Sequence, residues 1–360
     1  MSYLLAFLGF VVLIFLHEGG HFVAAKAVGM RVERFSLFFG PMPIKHTWGE
    51  TEYGIGVIPL GGYVKITGMN PNEELAPEVV HRAYYNQPVW KRVVTILAGP
   101  VVNIVIAFAI VWGLLYAQGQ QVVVPTKQVA AVVKGTPAAT VLKPRDTIVS
   151  IDGVGGSPAV LRKQIITHRC AGTQSDGCTA ATAATVVVRR NGRLVTFRVR
   201  PKQVSGRPEL GFDFNGRVTG TVYPSVTGAA GTAVSKLWYV TTQTVSTIAR
   251  IFEPQERKQL NSVVGGYTYT QEAFASSATL ALQVLALISL SLGVINLFPF
   301  LPLDGGHILW AVAEKLRGRR IPFSVMERAS VIGFALIILL FVIGLSNDIS
   351  TLTGPGFNIR

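Results

Sequence analysis

Charged side chains are scarce in this sequence: Asp, Glu, Lys and Arg make up 14% of its 360 residues, against about 25% in ordinary soluble domains. Some stretches carry none. No charge falls between Tyr3 and Leu16, or anywhere in residues 273–303. Runs of that kind exclude a plain soluble fold and read as bilayer spans, each of which takes roughly 20 apolar residues. Four stretches qualify, at 3–25, 93–117, 276–298 and 329–346. Cysteine is nearly absent, Cys170 and Cys178 being the two present, which excludes a disulfide-built scaffold. Acidic groups are outnumbered, 19 against 33 Lys and Arg. That surplus does not imply nucleic-acid binding, because no nucleic-acid motif or basic helix accompanies it; a solvated domain near anionic lipid accounts for it. The first apolar run also lacks a basic n-region and a small-x-small cleavage site, so it is expected to be retained and not removed as a signal peptide.

What the first apolar run does contain is His17-Glu18-Gly19-Gly20-His21. Residues four apart on a helix share a face, so His17 and His21 can direct ring nitrogens at one metal ion, with Glu18 placed as a general base. The two glycines each cost about 1 kcal/mol of helix propensity relative to Ala. A buried helix with satisfied histidines is the plain alternative, but ionisable groups in a bilayer-length helix are costly and mark function. A third ligand is available at Asp304, a lone carboxylate at the end of the second uncharged run. Pro299, Pro302, Gly305 and Gly306 break the helix there, and broken backbone at membrane depth belongs beside a polar cavity or within protein. Two histidines and one carboxylate with an open fourth position make the pattern of a catalytic zinc. His307, three residues after Asp304, shares its face but is not needed as a ligand. His46, His81 and His168 have no partner at ligand spacing and read as surface residues.

Between these motifs, residues 31–70 alternate short apolar runs with Gly and Pro and read as hairpin material over about 35–68. Gly61 and Gly62 fit a close backbone approach. Residues 71–92 read as polar loop. The second apolar helix carries Gly99-Pro100, a kink, and Asn103, which either hydrogen-bonds a metal ligand or packs against the third helix. Residues 121–204 read as a compact unit with strands at Val129–Val133, Thr147–Ile151, Thr185–Arg190 and Arg193–Arg200, a helix at Ala159–His168, and a tight Asn191-Gly192 hairpin. Val234, Leu237, Val245, Ile248 and Phe252 form one stripe with Thr241, suggesting a helix on the membrane surface or packed against a domain. The loop from Lys26 to Arg92 holds eight Lys and Arg and that from Lys315 to Arg328 five, so both are expected on the cytoplasmic side, with the insert and both termini outside. Outside the cytosol, a Cys170–Cys178 disulfide is favoured.

HEGGH at 17–21, PLGGYVK at 59–65, AGPVVN at 98–103 and NLFPFLPLDGGH at 296–307, in this order around a single insert, resemble the site-2 proteases, intramembrane zinc metalloproteases, and most nearly the bacterial regulator-of-sigma-E protease group. The resemblance covers nearly the whole chain. It implies one zinc held by His17, His21 and Asp304, with Glu18 as catalytic base and Asn296 on the substrate backbone. It implies a β-hairpin that dips into the membrane beside the site, its free edge open to substrate near Gly61 and Gly62. The insert resembles a PDZ domain through Leu142–Gly153. Arg145 stands where the family has glycine, in a loop that in PDZ domains offers N–H groups to a peptide carboxylate and often takes a positive φ, which arginine adopts poorly; with the Cys170–Cys178 segment, an added insertion, this counts against peptide-carboxylate binding.

The expected architecture is thus an α-helical polytopic membrane protein with four transmembrane helices, a membrane-associated β-hairpin and one extracytoplasmic PDZ-like α+β domain. Its parts are a membrane part at 1–117, the PDZ domain at 121–204, a linker with an amphipathic helix at 205–272 and a second membrane part at 273–360. The implied setting is the bacterial inner membrane, with HEGGH toward the cytoplasm. Implied substrates are single-span membrane proteins of the anti-sigma-factor type, already cut by a site-1-type protease; clearance of signal-peptide remnants is the alternative. A non-catalytic PDZ scaffold requires a broken HExxH or a missing Asp304. A zinc carrier requires acidic or His residues spread over several spans. Neither pattern is present.

Overall fold

The computed structural model describes residues 2–133, 135–172, 175–204, 206–250 and 263–352. These fall into two compact units, one of Met1–Ala117 with Pro224–Arg360 and one of Gln118–Tyr223. The chain begins with α1 (Ser2–Ala27), strands β1 (Val32–Phe39), β2 (Ile44–Trp48), β3 (Thr51–Ile55) and β4 (Ile58–Ile66), and then α2 (Val89–Gln118). The second unit follows with β5 (Gln120–Val132), β6 (Thr147–Ile151), α3 (Pro158–Ile166), β7 (Ala184–Arg190), β8 (Arg193–Val199), β9 (Lys202–Val204), β10 (Arg207–Glu209) and β11 (Phe212–Val222). The chain then returns to the first unit through α4 (Val226–Ala249), α5 (Val263–Ser276), α6 (Ala278–Asn296), α7 (Asp304–Arg317) and α8 (Phe323–Leu352).

Helices α1, α2, α6 and α8 are long and apolar enough to cross a membrane. In α1 the residues that turn inward include Leu13, His17, His21 and Ala25, spaced by four, while Leu4, Leu8, Val12, Phe15 and Val23 stay exposed. An apolar helix with exposed Leu, Val and Phe on its outer face is suited to lipid. Helix α2 begins four residues before the expected 93, because Arg92 is buried and donates to Glu314 of α7 at 2.7 Å. Helices α5 and α7 went unread: α5 begins in the presumed linker and runs past its end, and α7 starts where Gly305 and Gly306 were read as breaking a helix.

The region read as a hairpin is a four-stranded sheet, in the order β2-β3-β1-β4. Strand β1 pairs antiparallel with β4 and parallel with β3, so one hairpin does not describe it. Strand β2 was missed because all five of its residues are exposed, which leaves no alternation to read. The loop at 71–92 contains two short turns of helix, Pro77–Val80 and Tyr84–Asn86.

In the second unit an antiparallel sheet runs β11-β5-β6-β7-β8, and α3 covers it with Leu161 and Ile165 over Val129, Ile148, Val186 and Val188. The sheet extends past the expected end at 204, since β11 pairs along β5 from Phe212↔Val132 to Val222↔Gln120. Residues 205–223 therefore belong to this unit and not to a linker. Asn191 and Gly192 both take positive φ, 50° and 80°, as a type I′ turn requires. Arg145 adopts φ 74°, a left-handed conformation that favours glycine, and its N–H donates to Val129 O. The Lys143 and Asp146 N–H groups are also used within the turn. Arginine thus takes the positive φ it was expected to avoid, and the loop's amides at those positions are engaged within the turn and not free for a carboxylate. His168 is likewise not a surface residue: it is buried, with Nε2 2.7 Å from Asp152 Oδ2 and Nδ1 2.8 Å from Thr182 Oγ1. Cys170 and Cys178 are joined as a disulfide. Helix α4 packs through Ala229, Ala233, Leu237 and Val240, whereas Val234 and Val245 of the expected stripe are exposed; Phe252 lies outside the described residues.

The sheet is tied to α1 through Glu50, in the β2–β3 turn. Both terminal nitrogens of the Arg82 guanidinium donate to it at 2.7 Å, and Lys26 at the end of α1 donates at 3.0 Å. Arg82, and then Lys26, hold its carboxyl down at about 2. A carboxyl lowered on folding stabilises the protein above its unfolded pKa, and that contribution fades as the pH falls toward the folded value. Between pH 5 and 3, wild type is therefore expected to lose more thermal stability than Glu50→Gln, read by thermal unfolding of the purified proteins. Equal losses in the two would show that Glu50 does not anchor the sheet.

Candidate metal centre

One turn of α1 places His17 and His21 side by side, their Nε2 atoms 3.4 Å apart. Asp304, the first residue of α7, puts Oδ2 3.4 Å from His17 Nε2 and 3.3 Å from His21 Nε2. Among the described residues this is the one group of three such side chains whose donor atoms converge. Asp304 Oδ2 is buried and accepts no hydrogen bond. Donors on a tetrahedral zinc, with bonds near 2.0–2.1 Å, lie about 3.3–3.4 Å from one another. All three separations match, so these residues fit a zinc ion without rearrangement.

The outer nitrogens of both rings are held by α2. His21 Nδ1 donates to Thr95 O at 2.9 Å, which leaves the Nε2 lone pair facing the centre. His17 Nδ1 lies 2.9 Å from the Asn103 side-chain amide, whose Oδ1 is otherwise buried without a partner. With a metal on Nε2, Nδ1 carries the ring proton, and the amide rotamer that turns Oδ1 to His17 accepts it. Asn103 also anchors the third spanning helix, since its carbonyl accepts from Ser289 Oγ of α6 at 2.8 Å. Both readings of Asn103 are therefore realised in one residue. Pro100 leaves the Ile96 carbonyl without its helical donor in this same turn.

Close approach of α1 and α2 depends on glycine. A Cβ at Gly20 would lie 2.7 Å from Ala98 O, and one at Gly99 would fall on His21 Nε2 itself. Gly19 meets nothing within 4 Å. Strand β4 comes equally near on the other side: a Cβ at Gly62 would sit 2.9 Å from Glu18 Cγ, and one at Gly61 2.7 Å from the Phe39 ring. A cavity of 530 Å³ opens here, lined by His17, Glu18, His21, Gly61, Gly62, Asn296, Asp304 and His307 together with Tyr63, Met69 and Ile96. All the residues singled out near the two motifs thus gather at one place, Asn103 lying behind His17. Thr95, Ser289 and Tyr63 were missed. Thr95 acts through its backbone carbonyl, so its side-chain identity gives no signal.

The sequence matches the family model of peptidase family M50 over residues 5–340. The chain belongs to peptidase family M50. A candidate zinc metalloprotease of Brucella suis biovar 1 is 30% identical over 361 residues, covering 94% of this chain and 92% of the relative. Another from Campylobacter jejuni is 29% identical over 353 residues, covering 95% and 91%. Zinc metalloprotease Rip1 of Mycobacterium tuberculosis is 32% identical over 354 residues, covering 86% and 85%. This M50 peptidase is a zinc metalloprotease, and its four long apolar helices make it an integral membrane protein.

The packing of Gly99 against His21 gives a direct test in this M50 peptidase. Gly99→Ala is expected to weaken zinc binding by about 10–100-fold, the usual cost of disturbing a ligand's support. Gly113→Ala, on the same helix with nothing within 4 Å, is expected to leave zinc binding unchanged. Chelator competition on the two purified variants makes the comparison.

Proposed function

We propose that the protein cleaves peptide bonds inside transmembrane segments, with His17, His21 and Asp304 holding zinc and Glu18 acting as the base. The observation that carries this reading is the position of His17, His21 and Glu18 within α1, a helix of membrane-spanning length, with Asp304 converging on the two histidines. When bound, zinc supplies Lewis acidity to the substrate carbonyl and to water. The Glu18 carboxylate takes a proton from the attacking water and returns it to the leaving amide nitrogen as the C–N bond breaks. The Asn103 amide and the Thr95 carbonyl keep the two imidazoles oriented. Asn296, at the end of α6, and the open edge of β4 at Gly61–Val64 receive the substrate as an extended strand.

Substrates on this reading are single-span membrane proteins already shortened by another protease, as in regulated intramembrane proteolysis. The basic loops at 26–92 and 315–328 favour an orientation with the catalytic end of α1 toward the cytoplasm and the Gln118–Tyr223 unit outside. We read that unit as PDZ-like, and its role as a filter that excludes bulky outer domains.

Glu18→Gln is expected to abolish cleavage of a model transmembrane substrate while retaining zinc, because the glutamate is a base and not a ligand; metal analysis showing zinc loss contradicts that role. The filter has its own test. Gln120 and Val222 are paired neighbours in the ribbon, so the unit can be excised between them with a short linker. Excision is expected to admit substrates with intact outer domains and to spare cleavage of trimmed ones. A zinc-loaded deletion protein that still rejects the long form and loses the trimmed one shows a docking role instead.

A further inference from the structure

His307 sits one turn into α7 from Asp304, on the same helix face. Its ring lines the cavity that holds Glu18, Asn296 and Asp304. It is not among the donor atoms that converge on the metal position, and among the described residues it has no hydrogen-bonding partner. The same cavity has apolar lining from Ile66, Met69 and Ile96. Most other polar groups lining it are already engaged. His21 Nδ1 is taken by Thr95, His17 Nδ1 by Asn103, and the Tyr63 hydroxyl accepts from Arg34 Nη1 at 3.1 Å. The His307 ring thus keeps its N–H for whatever enters the cavity. A peptide group lying across Glu18 and the metal position can accept it.

We propose that His307 is a catalytic hydrogen-bond donor, its ring N–H directed at the scissile carbonyl oxygen as that oxygen becomes negative. The assignment rests on the proteolytic reading of this cavity and deepens it. Water oxygen bonds to the carbonyl carbon, the C=O pair moves onto oxygen, and Glu18 carries the proton from water to the leaving nitrogen. His307 keeps its own proton throughout and binds the oxyanion more tightly than the neutral carbonyl, which lowers the barrier and not merely KM.

The test uses the full-length, zinc-loaded protein in detergent with a transmembrane peptide substrate, and compares wild type, Glu18→Gln, His307→Phe and His307→Gln. Metal analysis, kcat, KM and the affinity of a phosphinic peptide, whose tetrahedral oxygens resemble the oxyanion, are measured together. His307→Phe is expected to keep one zinc, to lose about 10²–10³ in kcat with KM within about threefold, and to lose phosphinic-peptide affinity in proportion. His307→Gln, which keeps an N–H donor, is expected to lose less. A kcat for His307→Phe within about threefold of wild type overturns the assignment, as does a loss confined to KM. Zinc loss from both variants also overturns it, because His307 then supports Asp304. Should His307→Phe fail to fold, His307→Leu replaces it, and a kcat equal to that of His307→Gln overturns the proposal. Full cleavage by Glu18→Gln overturns the underlying reading as well, whereas an inactive Glu18→Gln beside an active His307→Phe removes His307 alone.

Discussion

Two imidazole nitrogens and a carboxylate oxygen held 3.3–3.4 Å apart are an arrangement that a protein interior resists without a cation among them. Each presents a lone pair to the other two, away from water, and a buried acceptor with no donor is expensive. The same spacing is what a tetrahedral zinc requires. The free energy of metal binding therefore goes partly into holding the start of α7 against α1, segments that lie at opposite ends of the sequence. The rest of the first unit serves this one contact by holding the three donors at that spacing.

Helix α2 does most of that fixing, along a single buried stripe. Arg92 reaches Glu314 of α7, Thr95 O holds His21, Gly99 makes room for its ring, and Asn103 serves both His17 and Ser289 of α6. These positions are three or four residues apart, the spacing of one helix face. One helix thus references the two ligand-bearing helices and α6 to each other. The buried Arg92–Glu314 pair is not an efficient source of stability, since desolvation offsets much of its attraction. Its geometric effect is clearer: it sets the far end of the helix whose first residue is Asp304.

How much of this was legible beforehand follows from how local each signal is. His17, Glu18 and His21 lie within one helical turn, so periodicity alone places them together. Asp304 was legible through contrast, as a charge ending a long uncharged run. The four spans were visible for the same reason, their ends shifting by a few residues where buried polar groups such as Arg92 extend a helix. What escaped was non-local or hidden in the backbone. The pairing of β11 with β5 joins segments far apart in sequence, so the second unit seemed to stop at 204. Exposed β2 had no hydrophobic alternation. His168 looked solvent-facing because Asp152 and Thr182, which satisfy it, are distant from it in sequence. Arg145 was read as an obstacle to a positive φ, yet it adopts φ 74°, which the surrounding turn's hydrogen bonds to Val129 and within Lys143–Asp146 sustain.

The position of β4 bears on a difficulty specific to proteolysis in a bilayer. A transmembrane helix keeps its N–H and C=O groups paired within itself, and each one released in hydrocarbon costs several kcal/mol. Cleavage needs an extended segment, so those groups must find partners where the helix opens. An unpaired strand edge supplies them, but such an edge is tolerated at membrane depth only where it borders protein or a wet cavity. Strand β4 meets that condition: it is the outer strand of its sheet, and Gly61, Gly62, Tyr63 and Val64 line the cavity beside Glu18. Gly62 lacks the Cβ that would otherwise strike Glu18, so the edge comes as near the base as backbone can. On the proposed reading, the step that unwinds the substrate and the step that cleaves it are coupled by this contact. A side chain at position 62 would separate the two by pushing the edge away from the carboxylate, even with all three metal ligands in place.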